Sequence, residues 1–197
     1  MSAVTPNSTS SPTTALVHPL DEFYVRSRLA LPPLQQIDGE EVPEPYKKLL
    51  VHQNDMTSTL ENFHGAPVHL RVLGRESDGE EYSREVVLYL EGSEQPVEFG
   101  AIKIHLALFP AEARKQILEE RWPLGHILKD HAIVYSSRPA AFLRIASDKL
   151  INSVLNLSGA QVLYGRRNTL WDSAQRPLAE IVEILPPVAD STRSLHT

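Results

Sequence analysis

Three stretches in the middle of the chain, Pro67–Leu73, Glu81–Leu90 and Val97–Leu108, change character at every second residue. A strand lays alternate side chains on opposite faces, so each stretch predicts a strand. Gly74–Glu80, containing Ser77-Asp78-Gly79, and Glu91-Gly92-Ser93 lie between them and read as turns. Parallel neighbours need a long crossover, which these connections are too short to supply. The middle of the chain is therefore expected to fold as an antiparallel meander, and the rest must cover it.

The flanks supply the cover. Residues 15–44 are rich in proline and predict a loosely structured lead-in with a short helix at Leu20–Val25. Pro45–His52 opens with a proline where helices tolerate one and predicts one or two helical turns. Asp55 is a fitting N-cap for a helix over Met56–Phe63, with Met56, Leu60 and Phe63 at helical spacing. A further helix is expected from Phe109 to about Glu120, broken by Trp122-Pro123, and a helical turn at Leu124–Leu128. Val134–Tyr135 and Ala141–Ala146 read as strand pieces, residues 148–158 as a helix, and Val162–Leu170 and Leu178–Leu185 as the last strands. The expected fold is one α+β domain over residues 15–187, a central antiparallel sheet of about six strands with helices packed over it. Residues 1–14 and 188–197, small or polar in composition, are expected to be tails.

Composition removes several classes of function. The chain has 197 residues, 42% of them hydrophobic, which suits one domain with a sizeable core. It contains no cysteine, so disulfides, thiolate catalysis and cysteine-based metal sites are excluded. The net charge of -6 argues against a general nucleic-acid or anionic-membrane binder. No apolar run approaches the roughly 18–20 residues of a membrane helix, and the N-terminus lacks the pattern of a signal peptide. The expected place is the cytoplasm. None of the eight histidines pairs at helical ligand spacing, so no metal is expected. No phosphate loop, dinucleotide fingerprint or serine elbow is present.

What remains are ionisable residues on apolar strands. Arg84 shares its face with Tyr82, Val86, Leu88 and Leu90. For an arginine on an arbitrary strand the expected place is the rim, with the stem covered and the head in water; otherwise an anion must come to it inside the fold. The last strand carries Glu180 on one face and Glu183 on the other, and alternation does not say which is buried. Arg166 and Arg167 point to opposite faces. An inward arginine beside an inward glutamate is either a buried ion pair or the wall of a pocket for an anion, and the residues leave both open.

Asp55-Met56-Thr57 with Leu60-Glu61, Tyr82-Ser83-Arg84-Glu85, Pro123-Leu124-Gly125-His126-Ile127-Leu128, Tyr164-Gly165-Arg166-Arg167 and Glu183-Ile184-Leu185-Pro186 occur in this order. Together they resemble the chorismate lyase family from about residue 29 to 187. The resemblance implies a cofactor-free enzyme that eliminates pyruvate from chorismate to give 4-hydroxybenzoate. It implies substrate contacts at Met56, Arg84, Leu124 and Glu183, with Arg84 and Glu183 carrying the chemistry and Met56 and Leu124 acting through backbone groups. The segment 147–159 is expected to lengthen a lid or to alter substrate choice. No protein partner is implied.

Two other readings stand beside it. The same fold resembles the effector-binding domains of some transcription regulators, where an aromatic carboxylate would be bound and not transformed; residues 1–14 are too few for the DNA-binding domain that precedes those. A scaffold protein would instead pair Arg84 with Glu183 and leave no cavity.

Overall fold

The computed structural model describes residues 15–188, so the expected tails lie outside the described residues apart from Val188. All strands among the described residues form one sheet of seven, in the order β1-β5-β6-β7-β4-β3-β2. They are β1 (Leu34–Ile37), β2 (Val68–Ser77), β3 (Glu81–Leu90), β4 (Pro96–His105), β5 (Ser136–Ala146), β6 (Val162–Trp171) and β7 (Pro177–Leu185). Every neighbouring pair is antiparallel. The α+β class and the central meander are as expected; the strand count is seven, because the proline-rich lead-in contributes the short edge strand β1.

Two local expectations change for physical reasons. Gly74 does not turn the chain. It sits at a bulge of β2 after Val72, and β2 continues to Ser77. A Cβ at Gly74 would lie 3.3 Å from the Phe23 ring, so its bare backbone lets that ring pass. Pro139 does not split β5, because it falls at an irregularity of the β5–β6 pairing and β1 pairs only with Phe142–Ile145. A proline is tolerated where no ladder partner needs its missing N–H.

Helices cover both faces, which buries nearly the whole of β3 and β4 on either side. On the back face, α1 (Leu20–Arg26) and α6 (Lys149–Val154) pack Phe23, Tyr24 and Ile151 against Val87, Phe99, Leu143, Leu163 and Val182. The helical part of segment 147–159 thus belongs to the back core and forms no lid. On the front face, α2 (Tyr46–Leu50) and α3 (Met56–His64) bring Leu49, Leu50, Met56 and Leu60 onto Leu88 and Leu90. Beside them, α4 (Ala111–Glu119) and α5 (Leu124–Asp130) bring Ala113, Ile117, Leu124, Ile127 and Leu128 onto Tyr82, Ile102 and Leu170.

The sheet's centre depends on a close approach at Gly100, which pairs with Val86 on β3 and Glu183 on β7. A Cβ there would stand 2.0 Å from the Val182 carbonyl oxygen. Gly100→Ala must push β4 and β7 apart, and its expected cost is about 3 kcal/mol, or roughly 10 °C in Tm for a domain of this size. Calorimetric unfolding checks it; an unchanged Tm would contradict the close approach.

Candidate functional site

Four strands aim side chains at the gap between the two front helix pairs. The registers Arg84↔Ile102, Val86↔Gly100 and Leu88↔Glu98 join β3 to β4, and Gly100↔Glu183 and Ile102↔Ile181 join β4 to β7. Arg166↔Glu183 and Asn168↔Ile181 complete the row on β6. Above this floor lies a cavity of about 60 Å³, roofed by Asp55, Met56 and Thr57 at the start of α3 and by Pro123, Leu124 and Gly125 at the start of α5. Met56, Arg84, Leu124 and Glu183, the residues singled out by the sequence, all line it.

Arg84 is not at a rim: it is 2% exposed. Its Nη2 donates to the Trp122 carbonyl oxygen at 3.3 Å, while Nε and Nη1 have no hydrogen-bond partner among the described residues. Burial pulls its pKa below the ordinary arginine value, with Tyr82 and Glu120 opposing that shift. The ordinary value is so far above neutrality that the group remains a cation. Glu120 does not neutralise it by direct contact, because its oxygens are taken by the Tyr82 hydroxyl and by Arg75 Nη1 at 2.6 Å. A buried cation with two idle donors favours an incoming anion.

Glu183 does not pair with Arg84, as the scaffold reading requires. It is 3% exposed and its Oε2 accepts from Arg166 Nε. Arg166, fully buried, also donates Nη1 to the carbonyls of Leu50 and His52, both at 3.2 Å, and Nη2 to the Asn54 carbonyl at 3.3 Å. One side chain therefore holds β7 and the loop from α2 to α3. His52 completes the clamp: its Nε2 donates to the Leu49 carbonyl at 2.7 Å and its Nδ1 faces Arg166 at 3.3 Å. Burial and the Arg166 charge lower the His52 pKa, which keeps the ring neutral. Glu180 takes the other face of β7 and pairs with Arg167 at 3.2 Å.

The clamped loop leads directly into the roof. Asp55 caps α3 by accepting from the Ser58 N–H at 2.8 Å. Its carboxylate also engages Tyr135, whose hydroxyl is pushed up to about 12, chiefly by burial. At Gly125 a Cβ would meet Asp55 Oδ1 and Thr57 Oγ1, both at 2.7 Å, so the starts of α3 and α5 touch only because that residue is glycine. His126 Nε2 and Glu61 Oε1, 3.0 Å apart, tie the same two helices further along.

Sequence reasoning missed Glu98. It is 5% exposed, lines the cavity and leaves Oε2 unpartnered among the described residues. Burial first, then the Glu183 charge, raises its pKa well above the ordinary carboxylate value, against the pull of Arg166. The signal was available, since Glu98 continues the alternation of Ile102 and Ile104 through Gly100. Between the polar ends the walls are Val86, Leu88, Ile102, Leu128, Leu170 and Ile181. The arrangement suits an apolar body with an anionic group at Arg84. No cluster of three or more metal-binding side chains occurs among the described residues, and none of the described helices is long and apolar enough to cross a membrane.

No protein-family model and no curated protein sequence matches the chain. Its fold matches solved structures. PhnF from Mycobacterium smegmatis superposes with a TM-score of 0.53 at 10% identity, over 68% of this chain and 64% of that one. The effector domain of PhnF gives 0.50 at 10% identity, over 66% and 87%. A GntR-family transcriptional regulator from Bacillus cereus gives 0.44 at 14% identity, over 66% and 99%. This chain thus spans less than two thirds of full-length PhnF. At such identities the likeness is one of fold, and the fold is that of the PhnF effector domain.

Arg166→Met strands the Glu183 carboxylate and frees the 50–54 loop. Breaking one side of a buried pair costs about 3–5 kcal/mol, expected as a matching loss in chemical denaturation. Arg166→Met with Glu183→Met should recover a good part of it. A single variant as stable as the parent would contradict the clamp.

Proposed function

We propose that this chain is a small-molecule binding domain whose ligand is an aromatic carboxylate. The observation that supports this best is the buried Arg84 guanidinium, with Nε and Nη1 unpartnered beside an apolar-walled cavity. A carboxylate is planar and takes two parallel N–H donors, which is the geometry a guanidinium offers. The apolar walls suit a ring. The fold shared with the PhnF effector domain agrees with a binding role. At about 60 Å³ the cavity is smaller than the roughly 150 Å³ that accommodates benzene in an engineered apolar core. Ligand entry on this reading requires the roof to move, and the α3–α5 junction at Gly125 is the seam along which it parts. No nucleic-acid contact is proposed for the described residues, given the chain's net charge of -6. Titration calorimetry should detect 4-hydroxybenzoate binding to the parent protein and lose it at least about a hundredfold in Arg84→Met, since the charged hydrogen bonds contribute roughly 1.5–3 kcal/mol each. Equal affinity in both proteins would sink the proposal.

The lyase reading rests on a specific observation of its own: Arg84 and Glu183 line the same cavity. Chorismate loses its C4 hydrogen and its C3–O bond, releasing enolpyruvate, which takes up a proton to become pyruvate. On this reading Arg84 balances the negative charge on the carboxylate or the leaving oxygen. Glu183 accepts a hydrogen bond from the 4-hydroxyl or serves as base, although its Oε2 is committed to Arg166. Incubation with chorismate should then yield equal amounts of 4-hydroxybenzoate and pyruvate, absent in Arg84→Met. Binding of 4-hydroxybenzoate without turnover of chorismate would leave the binding domain alone.

A further inference from the structure

Glu98 is a buried carboxyl that the readings above do not use. Its neighbours across the sheet are Leu88 on β3 and, two residues along through Gly100, Glu183 on β7. The nearby cation is Arg166, which is already bonded to Glu183 and to carbonyls of the 50–54 loop. One guanidinium in a low-dielectric site does not offset two carboxylates, so one of the two carries a proton. Glu183 has the direct ion pair, and Glu98 has an Oε2 without a partner among the described residues. Burial and the Glu183 charge raise the Glu98 pKa accordingly. A protonated carboxyl offers a neutral O–H donor.

Its position relative to Arg84 matters. Arg84 pairs with Ile102 and Glu98 lies four residues before Ile102 on the same strand face, so the two backbone positions are roughly 13 Å apart along the strands. Both long side chains line the cavity, with Val86 between their positions and Leu88 opposite Glu98. We propose that Glu98 is a second recognition residue of this cavity, donating its O–H to a neutral acceptor oxygen at the end of the ligand remote from the carboxylate held by Arg84. The ligand class narrows to monoanions with a far-end carbonyl, ether or hydroxyl oxygen. A second carboxylate at that end meets Glu183 and the Glu98 acceptor lone pairs and is disfavoured.

This rests on the carboxylate-binding reading of the cavity, and the test separates the two. The probes are benzoate and 4-formylbenzoate, which differ by an acceptor that the Glu183 carboxylate cannot bond. Titration calorimetry at neutral pH should show the parent protein binding 4-formylbenzoate about tenfold more tightly than benzoate. Glu98→Gln, whose amide N–H still donates, should keep that ratio; Glu98→Leu should reduce it to near one while benzoate affinity changes by less than about threefold. A full ratio retained in Glu98→Leu overturns the role of Glu98 and leaves the Arg84 reading intact. Failure of both probes to bind the parent protein overturns the two together. Infrared difference spectra of parent and Glu98→Gln, taken without ligand, give an independent readout. Loss of a protonated-carboxyl C=O band is expected, and loss of a carboxylate band alone would overturn the proposal.

Discussion

A guanidinium sealed among leucine, valine and isoleucine side chains is costly, because water that once solvated it has been replaced by a carbonyl and little else. Arg84 bears that cost in this protein: it keeps one hydrogen bond, to the Trp122 carbonyl, and no direct carboxylate partner among the described residues. The Tyr82–Glu120–Arg75 chain lies close enough to temper the charge, yet its hydrogen bonds are spent internally. Such an arrangement gives up stability for a site that favours an anion. Strain or desolvation of this kind persists only where the surrounding structure holds it in place.

The holding is done by a second charged group with the opposite design. Arg166 is as buried as Arg84, but its donors reach a carboxylate, three carbonyls and an imidazole nitrogen. It fastens the sheet to the loop that ends in the Asp55 cap, and so fixes where α3 begins above the cavity. Two arginines on one face of the sheet, with β7 and β4 between their strands, thus divide the work: one is satisfied and sets the geometry, the other is left unsatisfied and waits on chemistry. Glu98 stands beside the satisfied one, and burial and the Glu183 charge raise its pKa well above the ordinary carboxylate value.

Much of this was legible in the chain. Alternation marked β2, β3, β4 and β7, and the cap residue Asp55 marked the start of α3. The motifs drew attention to Met56, Arg84, Leu124 and Glu183, which the fold gathers around one cavity. Alternation separates the two faces of a strand but says nothing about what covers each, and this is why the rim was the expected place for Arg84 and why Glu180 and Glu183 were equivalent. Cross-strand register decided the latter: Glu183 lies opposite Arg166, whereas Glu180 lies opposite Lys103 and bonds Arg167. The edge strand β1 was hidden by its length of four residues and the prolines before it. Alternation puts Glu98 on the face of Ile102 and Ile104, but a single glutamate beside Val97 and Phe99 reads as an ordinary exposed position until the helices above it are known.

The most direct test of the central claim is a crystal structure of the protein with 4-hydroxybenzoate. The account predicts the carboxylate in the cavity, accepting from Arg84 along its Nε/Nη2 or its Nη1/Nη2 edge at about 2.7–2.9 Å, with the starts of α3 and α5 moved apart to admit the ring. A ligand bound elsewhere, or one in the cavity with its carboxylate turned away from Arg84, would contradict it.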